Sequence, residues 1–211
     1  MDKESLQNEI ENYIHYYYGI KKSFDIYKYI KENSEIYPEE THQIAFFLNP
    51  ILVSLLNSTL MDMSKILDCR NQKNVNKLIE RCIANAKLFC NDPNSIKEKN
   101  EKLELFKEIK EKLENNNVVI EKLNTYRDVY LAHTDKDYFM DPKKLFEEYK
   151  TTYEDIERVL KLIVDLLNKI LYSLCETTYA FDDEYKRDYK YILECIKEHR
   201  DNQLSKYRKQ E

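Results

Sequence analysis

"TTYEDIERVLKLIVDLLNKILYSL", residues 151–174, decides the fold class. Its apolar residues Ile156, Val159, Leu160, Ile163, Leu167, Ile170, Leu171 and Leu174 recur at three- and four-residue steps, which is the period of one face of an α-helix. A half-buried strand would alternate at every second residue instead. An apolar stripe this long on one helix needs other helices to cover it. Just ahead of the stripe, Thr151 and Glu154 have the three-residue spacing of a capping box.

Working outward, the same period recurs along most of the chain. Leu6, Ile10, Tyr13, Tyr17, Phe24, Tyr27 and Ile30 form one stripe, with Gly19 as a candidate kink or division point. "NSEIYPEET", 33–41, reads as a loop, and Pro38 or Thr41 can open the helix that follows. Residues 41–68 read as a long buried helix bent near Pro50, which lacks an amide hydrogen. After "DCRNQKN", 68–74, residues 74–90 carry Val75, Leu78, Ile79, Cys82, Ile83, Ala86 and Phe89 on one amphipathic face, and "NDPNS" ends it. Phe106, Ile109, Leu113, Ile120 and Leu123 keep one register across 96–133, which favours a continuous helix through "NNN", 115–117. "TDKDYFMDPKK", 134–144, reads as a connecting loop, and a last helix carries Tyr185, Tyr189, Ile192, Ile196 and His199.

Turn chemistry points the same way. The chain holds one glycine and four prolines in 211 residues, whereas hairpins and open sheets need clusters of turn residues between short alternating runs. One glycine also excludes a Gly-rich phosphate loop. No Gly-, Ser- or Pro-rich linker and no internal repeat divides the chain. The expectation is an all-α fold: a single domain over 1–211 built as a helical bundle of about six helices with short connections.

A net charge of −5 argues against a broad basic surface for duplex binding, though a local basic cleft is compatible with an acidic total. The five cysteines, Cys69, Cys82, Cys90, Cys175 and Cys195, lack metal-like spacing and read as buried, reduced thiols of a cytoplasmic protein. The start, "MDKESLQNEIENY", has no secretory pattern. "IAFFLNPILVSLLNSTL", 45–61, is interrupted by Asn49, Pro50, Ser54, Asn57 and Ser58, so it reads as a core helix rather than a membrane span. "YYY", 16–18, reads as helix packing rather than base stacking. No metal and no cofactor is expected.

One segment carries chemistry: "TYRDVYLAHTD", 125–135. Arg127 stands six residues before His133, with the polar Asp128 directly after the arginine. An imidazole suits proton transfer near neutral pH. A guanidinium is always charged and can grip a phosphate through two parallel hydrogen bonds. Together they suit chemistry at a phosphate, which needs proton movement and stabilisation of charge on phosphoryl oxygens. On a regular helix six steps turn by about 600°, which is about 120° short of two full turns. The pair therefore does not share one face of a straight helix. Either the helix is distorted, the arginine reaches sideways, or the site draws on two chains. Tyr126 and Tyr130 lie nearer the His133 face, where they could pack the imidazole or meet a base.

The pattern "RDVYLAH", near the end of a long helix and before a polar loop, resembles the R-x(4–6)-H signature of the HEPN superfamily (higher eukaryotes and prokaryotes nucleotide-binding). The ending Ala132-His133-Thr134-Asp135 is similar to its abortive-infection AbiU-like branch. The resemblance implies a HEPN-like helical bundle with an up-and-down core. It also implies a metal-independent ribonuclease acting as a homodimer in a toxin or phage-defence role, with an RNA substrate and an antitoxin protein as partners. Some members have lost catalysis and only bind. Arg127 and His133 would be the catalytic pair, with Asp128, Tyr130 and Asp135 in support. In one toxin group a tyrosine two residues after the histidine is modified by its antitoxin; Asp135 stands there in this chain, which departs from that form of regulation.

Overall fold

The computed structural model describes residues 2–128, 152–180 and 184–208. Among them the fold is all-α, with eight α-helices and no strand. These are α1 (Lys3–Ile36), α2 (Pro38–Gln43), α3 (Ala45–Leu67), α4 (Val75–Ala84), α5 (Ile96–Glu114), α6 (Asn117–Tyr126), α7 (Tyr153–Cys175) and α8 (Glu184–Arg208), with a 3₁₀ turn at Ala86–Phe89. The chain's contacts divide into two compact units. One comprises residues 1–20 and 60–180, the other 21–59 and 181–211.

The first unit is built around α7. Every residue of its predicted stripe is buried, and Leu166 joins them. Its capping box is real but lies one residue later than the spacing predicted. Thr152 accepts from the Asp155 amide at 3.1 Å, and the Asp155 carboxylate accepts from the Thr152 amide at 3.3 Å. Thr151 lies outside the described residues, and Glu154 takes no part in the box. At the other end Glu176 adopts a left-handed φ of 56° and stops the helix.

Against α7 pack α5 and α6. Tyr17 of α1 donates its buried hydroxyl to the Leu160 carbonyl. Phe89 meets Phe106 edge to face at 4.8 Å. Between α5 and α6 the helix is interrupted at Asn115 and Asn116, not continuous as the shared register suggested. Asparagine side chains compete with the helix by bonding local backbone, and the Asn116 amide donates to the Lys112 carbonyl at 2.9 Å. The register survives the break: Phe106, Ile109, Leu113, Ile120 and Leu123 are all buried.

In α1 the helix runs unbroken through Gly19, so the helix is not divided there. A Cβ at Gly19 would meet nothing within 4 Å. Gly19→Ala is therefore expected to stabilise the protein by about 0.5–1 kcal/mol, through reduced freedom of the unfolded chain and better helix propensity. A rise in the urea midpoint checks it, and a fall would show that the position needs glycine.

In the second unit Tyr27, Ile30, Leu48 and Leu52 form the core, with Ile26, Ile44, Leu55, Leu56 and Tyr189 packed on it. Of the expected 33–41 loop only a break at Tyr37 remains, and Pro38 at the first turn opens α2. Arg200 of α8 pairs with Glu39 and Glu40 of α2. The inward face of α8 is the predicted one only in part: Tyr189 packs on the core, but Leu193 is fully buried while Ile192 is half exposed.

The expected long buried helix over 41–68 is two helices parted at Ile44, and α3 is not buried along its length. Phe46, Phe47 and Val53 are exposed. The helix is 23 residues long with a mean hydropathy of 1.3 over its most apolar window, long and apolar enough to cross a membrane by length and composition. Core helices of soluble proteins reach the same values. All five cysteines are free, but only Cys82 and Cys90 are buried; Cys69 and Cys195 are exposed, against expectation.

Candidate active site: a ring of two arginines and two aspartates

Arg127 closes α6. Its backbone still bonds the carbonyls of Leu123 and Asn124, so the guanidinium belongs to the negative end of the helix dipole, where a cation is favoured. Arg127 and Asp128 are wound as a π-helical turn, a local widening that often marks functional sites. It alters the rotation per residue at one end of the Arg–His interval. His133, Tyr130 and Asp135, like the 134–144 loop, lie outside the described residues.

The arginine is not free. Its Nε donates to Asp128 Oδ1 at 2.7 Å, and its Nη2 donates to Asp68 Oδ2 at 3.0 Å. Asp68 directly follows the last residue of α3 and is buried. It takes a second cation, Arg70, whose amide and Nε both donate to Oδ1 at 2.9 Å. The amide bond is the Asx-turn geometry that lets an aspartate end a helix. Arg70 Nη2 then donates to Asp128 Oδ2 at 2.8 Å. The four side chains thus form a closed ring, Asp68–Arg127–Asp128–Arg70.

Asn74 holds the loop that supplies Asp68 and Arg70. It is fully buried. Its amide donates to the Cys69 carbonyl at 3.3 Å and to the Asn71 carbonyl. Its side-chain oxygen caps α4 by accepting from the Lys77 amide at 2.9 Å, and its backbone carbonyl accepts from the Tyr13 hydroxyl at 3.2 Å. One residue therefore anchors the loop to itself, to α4 and to α1.

The charges respond as such a ring requires. Hydrogen bonds from Arg70 outweigh burial and hold the Asp68 carboxyl well below the usual carboxylate range, with Arg127 adding to the effect. Burial pushes the Asp128 carboxyl up, but the bonds from Arg70 and Arg127 leave it lowered on balance. A folded value below the unfolded one means that Asp68 contributes stability at neutral pH and loses it as pH falls. The loss begins near the ordinary aspartate value of about 4 and continues down through the folded value. Thermal melts through that range are expected to show a steeper acid decline in the wild type than in Asp68→Asn. At neutral pH that variant costs about 1.5–3 kcal/mol, the range for a hydrogen bond to a charged group. Parallel acid declines would remove Asp68 from this account.

Of the residues expected from the sequence, the structure joins Arg127 and Asp128 directly. Asp68 and Arg70 were missed. The only trace was that "DCRNQKN" ends the most apolar helix with an acid and a base two residues apart. Among the described residues no three His, Cys, Asp or Glu side chains gather in a way that could hold a metal ion.

The family model HEPN_AbiU2, described as AbiU2, matches residues 3–205. The chain belongs to this AbiU2 family of HEPN proteins. Comparison with curated proteins and with solved structures gave no match. In this AbiU2-family chain the matched range takes in every helix bar the last three residues of α8, and the whole Asp–Arg ring.

Proposed function

We propose that this protein is a metal-independent endoribonuclease of the HEPN type, acting in the cytoplasm in a toxin or phage-defence role. The observation that carries the reading is Arg127, set at a helix end and oriented by Asp68 and Asp128. Family membership supports the same assignment. In this reading His133 accepts the proton of an RNA 2′-OH as its oxygen attacks the adjacent phosphorus. The bond from phosphorus to the 5′-oxygen breaks, and that oxygen takes up a proton. The Arg127 guanidinium stabilises the charge that builds on the phosphoryl oxygens. A homodimer places two Arg–His segments around one cleft, so that one imidazole takes a proton while the other gives one. A toxin of this kind would be restrained by an antitoxin protein; no membrane takes part.

The test is incubation with RNA in EDTA, followed by analysis of the product ends. A 2′,3′-cyclic phosphate or 3′-phosphate and a 5′-hydroxyl are expected. Other ends would sink 2′-OH attack. RNA that is bound but left intact would make the protein a non-catalytic binding module of the same superfamily.

A further inference from the structure

The two arginines of the ring differ in what they can reach. The Arg127 side chain is 11% exposed, and the Arg70 side chain is 65% exposed. Both use Nε and Nη2 on the carboxylates. Arg70 Nη1 bonds none of the described residues, so its two N–H donors remain beside an inner edge already held by the carboxylates. Two arginines and two aspartates cancel in formal charge. An incoming phosphate therefore gains most from the guanidinium that is least buried, and Arg70 can release the link to Asp128 while keeping Asp68. The same loop continues into a cleft lined by Asn71, Lys73, Asn12, Tyr13 and Tyr16, and by Glu9, whose carboxylate is paired with Arg81. Amide, aromatic and cationic groups there suit a nucleoside flanking a bound phosphate.

We propose that Arg70 is a substrate-contacting residue that binds an RNA phosphate beside the Arg127 site. It rests on the ribonuclease reading above and assigns that site its phosphate anchor. Asp68 is then a positioning residue that aims both guanidiniums.

Cleavage of a labelled single-stranded RNA, and its binding across a series of salt concentrations, test this with wild type, Arg70→Gln and Arg70→Lys. Arg70→Gln is expected to raise KM about 10-fold or more, the loss of one hydrogen-bonded charge contact. kcat is read separately, because Arg70 also braces the two carboxylates that orient Arg127; KM and the salt slope carry the test. The slope of log K against log salt should become shallower by about 0.7, one phosphate contact on a single strand. Arg70→Lys should keep the wild-type slope while recovering only part of the affinity, since ammonium keeps the charge but not the fork. An unchanged KM and slope in Arg70→Gln overturns the proposal. So does a lowered melting temperature with an unchanged slope, which is what a purely structural arginine would give. If the wild type cuts RNA and Arg127→Ala cuts equally well, the ribonuclease site is wrong while Arg70 is judged by its slope. If the wild type neither binds nor cuts RNA, both readings fall.

Discussion

On the proposed ribonuclease reading, Arg127→Ala and His133→Ala are each expected to lower RNA cleavage in EDTA by about 10²- to 10⁴-fold, the range for losing a positioned proton-transfer group or a preorganised charge stabiliser. The two losses have different causes. Without His133 the proposed site lacks its imidazole, so the residual rate should lose the pH dependence that an imidazole imposes. Without Arg127 the phosphoryl charge is unmet, and Asp68 and Asp128 are left facing each other with Arg70 as their shared cation. Arg127→Lys is the sharper variant. It keeps a positive charge opposite Asp68 but cannot span both carboxylates with a planar fork. It should fold and still cut poorly. Initial rates together with thermal melts separate lost chemistry from lost structure. Variants at both positions that cut as well as the parent would end the assignment.

Phe106→Ala is expected to cost about 3–5 kcal/mol, the range for removing a buried aromatic ring and leaving a cavity. Phe106 is fully buried and meets Phe89 edge to face at 4.8 Å. α5 packs against α4, the 3₁₀ turn and α7, so the cavity opens where several elements meet and cannot all collapse together. Urea unfolding measures the loss; a cost under about 1 kcal/mol would mean that the neighbours close the gap. The same helix leads through Asn115 and Asn116 into α6, whose end presents Arg127. Below its lowered midpoint the variant should still cut RNA, because the ring is built by residues 68, 70, 127 and 128 and not by Phe106.

Legibility in the sequence followed the range of the forces involved. The stripes of α1 and α7 were readable because burial repeats every three to four residues, and each predicted stripe position is buried. End effects were less readable. The box at Thr152 and Asp155 differs from Thr151 and Glu154 by one residue, and both pairs have the same spacing and acceptable chemistry. The break at Asn115 and Asn116 was masked by a register that survives it. In α8 the adjacent Ile192 and Leu193 are equally apolar, so only packing chooses which turns inward. The exposed Phe46 and Phe47 show the limit of composition: an apolar run predicts a helix that wants a partner, not that it has one.

The sequence by itself determined that the chain is helical, that Gly-rich phosphate loops are excluded, and that one Arg–polar–His segment stands apart. Those properties depend on residue type and on spacing along a few turns. Only the tertiary structure decided that Arg127 is a buried, carboxylate-held arginine and that Arg70 presents the more exposed guanidinium beside it. Arg127 and Asp68 are 59 residues apart in the chain and 3.0 Å apart in space. An ion pair depends on distance through space, and that distance exists only once α3 and α6 bring their ends together.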